Sequence, residues 1–128
     1  MGLMALLLRL ARSPVAGWFI AFILAHAAFL LPAERLYQTR SLLAFYHPQP
    51  SYAVHIVLVP RRRLADLTAI GAEDAEFLQD LFAAVRHLVI QLDLEPGGYR
   101  LIANGGAYQD VPHLHFHLIS DVPARGGR

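Results

Sequence analysis

Apolar side chains are spaced along this 128-residue chain in two ways, and each spacing predicts a different element. Between positions 73 and 92 they recur with the 3.6-residue period of a helix, and Pro96 with two glycines follows. Acidic residues occupy the first turns, where the helix dipole favours negative charge. We therefore expect one long helix over residues 73–92, whose apolar face consists of Phe77, Leu78, Leu81, Phe82, Val85, Leu88, Val89 and Leu92.

Short apolar stretches bounded by proline, glycine and asparagine predict β-strands elsewhere. These stretches are residues 42–46, 54–59, 99–103 and 113–120. Two strands therefore precede the long helix and two follow it, with no internal repeat and no long linker. This order predicts an α+β domain built on an antiparallel sheet.

The N-terminal quarter of the chain is more apolar than the rest. From Val15 to Leu31 there is no charged side chain, and His26 is the only strongly polar one. As a helix this stretch spans about 25 Å, the short limit for crossing a membrane. A helix that is apolar on every side must be buried in protein or lipid. We divide the chain into an apolar N-terminal helix, residues 1–31, and a folded domain, residues 32–128.

Besides burial within the protein itself, two surroundings could bury the apolar helix. One is a membrane, which the helix spans or lies on, and the other is a hydrophobic partner protein. A cleaved signal peptide is disfavoured, because no Ala-x-Ala site stands at the end of the apolar run. We expect residues 15–31 to hold the protein to a membrane or to a hydrophobic partner surface.

Composition narrows the classes of function. The chain has no cysteine, which excludes disulfide frameworks, thiol nucleophiles and cysteine zinc sites. Its net charge is +1, and the single basic run, at positions 61–63, has the length of a solvated turn. Without a basic stripe we expect no nucleic-acid partner. Because 55% of the residues are hydrophobic and 16% charged, intrinsic disorder is excluded as well.

Three of the seven histidines alternate with apolar residues near the C-terminus: His113, His115 and His117. On a strand, alternate side chains share one face, so we expect the three imidazoles on one face and the apolar side chains between them on the core side. The residues alone leave three interpretations open. They are a solvated polar face, a zinc site with imidazole ligands, and metal-free catalysis in which neighbouring imidazoles orient one another.

Residues 113–119 also match the signature His-φ-His-φ-His-φ-φ, in which φ is apolar, and the chain resembles the histidine-triad (HIT) family of nucleotide hydrolases and transferases. The resemblance covers about residues 31–121 and implies the HIT-like fold, an antiparallel sheet with one long helix. Further motifs stand in the family's order: Leu31-Pro32-Ala33-Glu34, Leu42-Leu43-Ala44-Phe45, His55-Ile56-Val57-Leu58-Val59-Pro60, Asn104-Gly105 and Gln109-Asp110-Val111.

The resemblance implies a role for each histidine of the site. His115 is expected to be the nucleophile that attacks a phosphate and forms a covalent intermediate. His113 is expected to orient His115, while His117 and His55 are expected to bind phosphate oxygens. This chemistry suits imidazole, which is a nucleophile near neutral pH. It requires neither a metal nor a cofactor.

Four further residues are expected to contact the substrate. By the resemblance, Asn104 and Gln109 hydrogen-bond the phosphate. At two positions the chain departs from the family's pattern. His47 stands where many members have an aspartate that binds both ribose hydroxyls, and Asp110 stands where serine or threonine is usual. An imidazole cannot hold a diol as a carboxylate does, and a carboxylate repels a phosphate.

The sequence therefore predicts a HIT-like hydrolase or nucleotidyl transferase that acts on a phosphate ester, anhydride or phosphoramidate. The alternative is a non-catalytic HIT-fold accessory subunit, anchored to a membrane or a larger complex by residues 15–31. The expected partners are a small phosphorylated molecule or nucleotide and a second copy of the chain. The homodimer is expected to pair through residues 73–92 and 99–103. A cytoplasmic location, or the cytoplasmic side of a membrane, suits nucleotide chemistry.

Overall fold

The computed structural model describes residues 35–124, which form a five-stranded antiparallel sheet with one α-helix packed on it. The strands lie side by side in the order β1-β2-β3-β5-β4, so β3 and β5 are adjacent at the centre. The α+β class, the antiparallel sheet and the long helix are confirmed. In chain order the elements are β1 (Arg35–Gln38), β2 (Leu42–Tyr46), β3 (Val54–Pro60), α1 (Ala75–Gln91), β4 (Arg100–Ala103) and β5 (Phe116–Ser120).

One face of the sheet packs against α1 and forms the main core. Side chains alternate along β3, so Ile56 and Leu58 point to this core and are fully buried. Helix α1 contributes Leu81 and Leu88, which are also fully buried. Burying one such side chain stabilises the fold by about 1.5–3 kcal/mol, so this layer holds the helix to the sheet.

A second apolar cluster lies on the opposite face of the sheet. Its members are Leu43 and Phe45 from β2 with Val57 and Val59 from β3, each at most 5% exposed. Because residues two apart share a strand face, His55 belongs to the same face of β3 as this cluster. The histidines described below therefore stand on the face turned away from α1.

The turn between β1 and β2 is fastened to α1 by hydrogen bonds. Thr39 Oγ1 and Ser41 Oγ both donate to Asp80 Oδ2 on the helix, at 2.7 and 2.6 Å. These bonds to Ser41 and Thr39 hold the pKa of the Asp80 carboxyl below its usual value. An exposed ion pair between Arg40 and Glu76 spans the same gap at 2.9 Å. The edge of the sheet is thus held in register with the helix.

Several predicted boundaries differ from the observed ones. Strand β1 was not predicted, because four residues with mixed exposure carry little pattern. The expected last strand, residues 113–120, begins only at Phe116, so His113 and His115 precede it. Helix α1 begins at Ala75, after a 3-10 turn at Ala72–Asp74. Phe82, expected on the buried face of this helix, is 61% exposed.

The predicted apolar helix, residues 15–31, lies outside the described residues, and so does the domain boundary at residue 31. Within residues 35–124 no helix is long and apolar enough to cross a membrane.

Candidate active site

Two histidines on adjacent central strands form the centre of the site. His117 on β5 is opposite Val57 of β3, which places its ring beside that of His55. His55 Nε2 and His117 Nδ1 are 2.9 Å apart, a hydrogen-bond distance. The backbone N–H of Ser51 donates to the other ring nitrogen of His55, Nδ1, at 3.1 Å. Both nitrogens of His55 are therefore occupied by hydrogen bonds inside the protein.

These bonds determine which nitrogen of each ring carries the proton. Since Nδ1 of His55 accepts a bond from the backbone of Ser51, neutral His55 carries its proton on Nε2. That proton is donated to Nδ1 of His117, so neutral His117 carries its own proton on Nε2. Nε2 of His117 is thus an N–H donor that a substrate oxygen could accept.

His115 has the opposite arrangement. Its Nδ1 donates a proton to the backbone carbonyl oxygen of His113 at 2.8 Å. The lone pair of the neutral ring is therefore on Nε2, the atom away from the backbone. The rings of His115 and His117 are in edge-to-face contact, with centroids 4.9 Å apart. A ring with a free lone pair on Nε2 and a ring with an N–H on Nε2 are therefore in contact.

His47, which follows β2, extends this arrangement to four rings. It stacks on His55 with ring centroids 4.4 Å apart. The backbone N–H of Gln49 donates to its Nδ1 at 3.0 Å. We call the consecutive rings of His47, His55, His117 and His115 the histidine row.

Burial and mutual repulsion keep most of the row uncharged. Burial, followed by the nearby His115 and then by His55 and His47, lowers the pKa of His117 to about 4. Burial also lowers the pKa of His55 and that of His47 from their ordinary values. At neutral pH these three rings are therefore neutral, and the tautomers derived above apply.

His113 is buried beside the end of β3. It is 2% exposed, and its Nε2 lies 3.3 Å from the carbonyl oxygen of Pro60 at the end of β3. The expectation that the three triad rings share one face of one strand is wrong in this respect, because β5 begins after His115. The backbone carbonyl of His113 accepts the hydrogen bond from the ring of His115.

The loop between β4 and β5 holds the other predicted residues. Gln109 Nε2 donates to the backbone carbonyls of Ala65 and Val111, at 2.8 and 3.0 Å, so both amide hydrogens are used within the protein. Asp110 is exposed, and its charge acts to raise the pKa of His117. Asn104 follows β4 directly and is half-buried.

Several contributors to the site were not found from the sequence. Tyr52 packs edge-on against His55, with ring centroids 5.4 Å apart. The tautomers depend on the backbone N–H groups of Ser51 and Gln49 and on the carbonyl of His113. Every residue has such backbone groups, so no sequence signal could have found them. Within residues 35–124 no three metal-binding side chains are grouped so that they could hold a metal ion.

Comparison with known proteins agrees with this geometry. The HIT domain family matches residues 29–123. An uncharacterized HIT-like protein of Rickettsia prowazekii is 34% identical over 92 residues, which are 70% of this chain and 77% of that protein. A similar protein of Synechococcus elongatus is 35% identical over 91 residues, covering 70% and 79%.

Solved structures give the same result. A HIT family hydrolase from Clostridium thermocellum is 30% identical with a TM-score of 0.71, covering 80% of this chain and 90% of that one. A histidine triad nucleotide-binding protein from Candida albicans is 28% identical with a TM-score of 0.66, covering 77% and 71%. With a family match over most of its length and the histidine row in place, this chain belongs to the HIT domain family.

Proposed function

We propose that the protein is a hydrolase or nucleotidyl transferase that cleaves a phosphate ester, anhydride or phosphoramidate through a covalent intermediate on His115. The observation that carries this proposal is the bond from Nδ1–H of His115 to the carbonyl of His113, because it leaves the lone pair on Nε2. The hydrolases and nucleotide-binding proteins among the chain's structural relatives support the same class of reaction.

In the first step, Nε2 of His115 attacks the phosphorus atom. A nitrogen–phosphorus bond forms, and the bond from phosphorus to the leaving group breaks. The leaving group departs with the bonding electron pair and takes up a proton from solvent. The ring of His115 becomes cationic, and its Nδ1–H remains bonded to the carbonyl of His113, which stabilises that charge.

In the second step, water attacks the same phosphorus atom. The nitrogen–phosphorus bond breaks, its electron pair returns to Nε2 of His115, and the attacking water releases a proton to solvent. The net reaction is substrate plus water to a phosphate product and a protonated leaving group. Dividing one displacement into two lowers each barrier. If an alcohol or an amine attacks the intermediate in place of water, the phosphoryl or nucleotidyl group is transferred to it, and the protein acts as a transferase.

Neighbouring side chains are proposed to hold the phosphoryl group. Nε2–H of His117 donates to a phosphate oxygen, and His55 keeps that donor in place through the 2.9 Å bond to Nδ1. The half-buried amide of Asn104 is proposed as a further phosphate contact. Asp110 is proposed to balance the positive charge that forms on His115. Donors that are already aligned need little reorganisation in the transition state.

A homodimer is proposed as the assembled form. Strand β4 is an edge of the sheet, and an edge strand offers unpaired backbone groups to a second chain. On α1, Phe82 and Ile90 are 61% and 62% exposed although both are large and apolar. A second copy paired at β4 would satisfy the edge strand, and one packed on α1 would cover Phe82 and Ile90.

The test is hydrolysis of adenosine 5′-phosphoramidate and of a panel of nucleotide anhydrides and esters. We expect turnover by wild type, loss of turnover in His115→Asn, and a mass increase on His115 when the reaction is stopped with acid-free denaturant. The matched control is His87→Asn, because His87 is exposed on α1 and outside the row. Turnover that is unchanged in His115→Asn would exclude the covalent mechanism.

Repeating the assay with a metal chelator distinguishes this mechanism from a metal-dependent one. We expect activity to persist in the presence of a strong chelator. Activity that is lost with chelator and restored by zinc or manganese would mean that a metal ion, and not imidazole alone, drives the reaction. Absence of any turnover across the panel would favour the accessory-subunit alternative.

A further inference from the structure

His47 is held in one orientation by contacts on three sides. Its backbone N–H donates to the carbonyl of His55 at 2.8 Å, which continues the pairing of β2 with β3. Its ring stacks on that of His55, and its Nδ1 accepts the backbone N–H of Gln49 at 3.0 Å. A ring held in this way has lost most of its rotational freedom before any ligand arrives.

The bond to Nδ1 also decides what this ring offers to a ligand. Neutral His47 must carry its proton on Nε2, and within residues 35–124 that nitrogen has no hydrogen-bond partner. The ring centroid of His47 lies 6.3 Å from that of His117, the proposed phosphate donor. His47 and His117 thus both lie against the ring of His55, and each carries an N–H donor on Nε2.

We propose that His47 Nε2–H binds a second acceptor group of the substrate, an anionic oxygen of a phosphoryl or carboxylate group close to the reacting phosphate. The inference rests on the proposed function and adds the class of substrate, one with two neighbouring anionic groups. A neutral imidazole in this tautomer donates one bond through Nε2 and accepts none there, so it recognises an acceptor.

Local charge supports this assignment. The carboxylate of Asp110 acts on the pKa of His117, whereas the pKa of His47 is lowered by burial and by the nearby His115, with no carboxylate involved. An anionic group beside His47 therefore meets less repulsion than one beside His117. An N–H donor that is half-buried and already aligned also binds an anion better than a freely rotating one.

The experiment compares two ligands that cannot react: inorganic phosphate, with one phosphoryl group, and methylenediphosphonate, with two. Each is titrated into the full chain at neutral pH by calorimetry, with wild type, His47→Phe and His47→Gln. Phenylalanine keeps the stacked ring and removes the N–H donor, while glutamine restores a donor. His87→Phe is the control for a histidine outside the row.

We expect wild type to bind methylenediphosphonate more tightly than phosphate, and His47→Phe to lose about ten-fold of that affinity, the effect of one hydrogen bond to a charged group. Affinity for phosphate should change by less than about two-fold, because His117 still binds it. His47→Gln should recover part of the loss, and His87→Phe should behave as wild type.

The proposal is overturned if wild type shows no preference for methylenediphosphonate, or if the preference survives in His47→Phe. It is also overturned if wild type does not bind methylenediphosphonate at all. Covalent labelling of His115 is measured separately. If His115 is labelled but wild type does not prefer methylenediphosphonate, only the role of His47 is refuted. If His115 is not labelled, the proposed mechanism is refuted.

Discussion

Hydrogen bonds to the backbone or to a neighbouring ring fix the position of the proton on each ring of the histidine row. Ser51 fixes His55, and His55 in turn fixes His117, by the bonds at 3.1 and 2.9 Å. Protonating one ring would place a second N–H where the ring now accepts a hydrogen bond. Burial adds to the free-energy cost of that charge. His47, His55 and His117 therefore prefer the neutral state, and that preference can be measured.

We predict that protonation of His117 destabilises the fold. Its pKa is lowered from 6.5 to about 4 by burial and by its neighbours in the row, so between these values the unfolded chain binds a proton that the folded chain does not. Stability is thus full above pH 6.5 and falls as the pH drops towards 4. The difference between the two pKa values corresponds to about 3 kcal/mol. Because His117 is only half-buried, solvent screening reduces the expected loss to on the order of 2 kcal/mol.

The measurement is the free energy of unfolding by urea across this pH range. In His117→Asn the amide oxygen can still accept the bond from His55, but the side chain does not titrate, so the pH dependence should become shallower. His87→Asn should keep the wild-type slope. Equal slopes for wild type and His117→Asn would contradict the low pKa.

At the scale of single residues, the sequence pointed to histidines that lie together in the structure, but not to the way their rings contact one another. Spacing and resemblance pointed to His55, His115 and His117, and all three lie in the row. His47 was expected to be a weakened ribose contact, yet its ring stacks directly on His55. Stacking depends on the backbone pairing of β2 with β3, and that pairing has no signature in the residue itself.

At the scale of elements, the loop before β5 determines where the triad stands. Alternation predicted a strand from residue 113, but His113 Nε2 lies near the carbonyl of Pro60 and the backbone of Leu114 donates to Leu64. These contacts draw the chain towards the segment after β3, so β5 begins only at Phe116. Contacts between distant segments of the chain outweigh a local two-residue period in this loop.

Gln109 is expected to act through this loop rather than on the phosphate. Its amide hydrogens are bonded to the carbonyls of Ala65 and Val111, so Gln109→Glu, which keeps the shape and loses the donors, should lower the free energy of unfolding by about 1–2 kcal/mol. We expect kcat to fall more than KM rises, since the loop leads into His115.

Chemical denaturation and steady-state kinetics check this prediction. Gln109→Met removes the donors without adding charge and should behave like Gln109→Glu. A Gln109→Met variant of wild-type stability with a raised KM would instead place the amide on the substrate, as the sequence first indicated.

At the scale of the whole molecule, the sheet and α1 could be predicted from hydrophobic periodicity, because both bury a regular apolar face.

The membrane or partner contact of the apolar segment, residues 15–31, stays a prediction. We expect the full chain to stay with the membrane or partner fraction of native cells through a high-salt wash. The chain from Pro32 onward should be released. Recovery of the full chain without lipid or partner would contradict this expectation.

The proposed homodimer can be tested through the exposed apolar side chains of α1. Phe82 is large, apolar and 61% exposed on α1, so a charge at this position should leave the monomer folded and oppose pairing. We expect wild type to be dimeric by light scattering, and Phe82→Glu to be monomeric with an unchanged circular dichroism spectrum. Tyr108→Glu is the control, because Tyr108 is 81% exposed in the loop between β4 and β5, outside the proposed interface. If Phe82→Glu stays dimeric, the second copy pairs through another surface, and the exposed apolar side chains of α1 have a different partner.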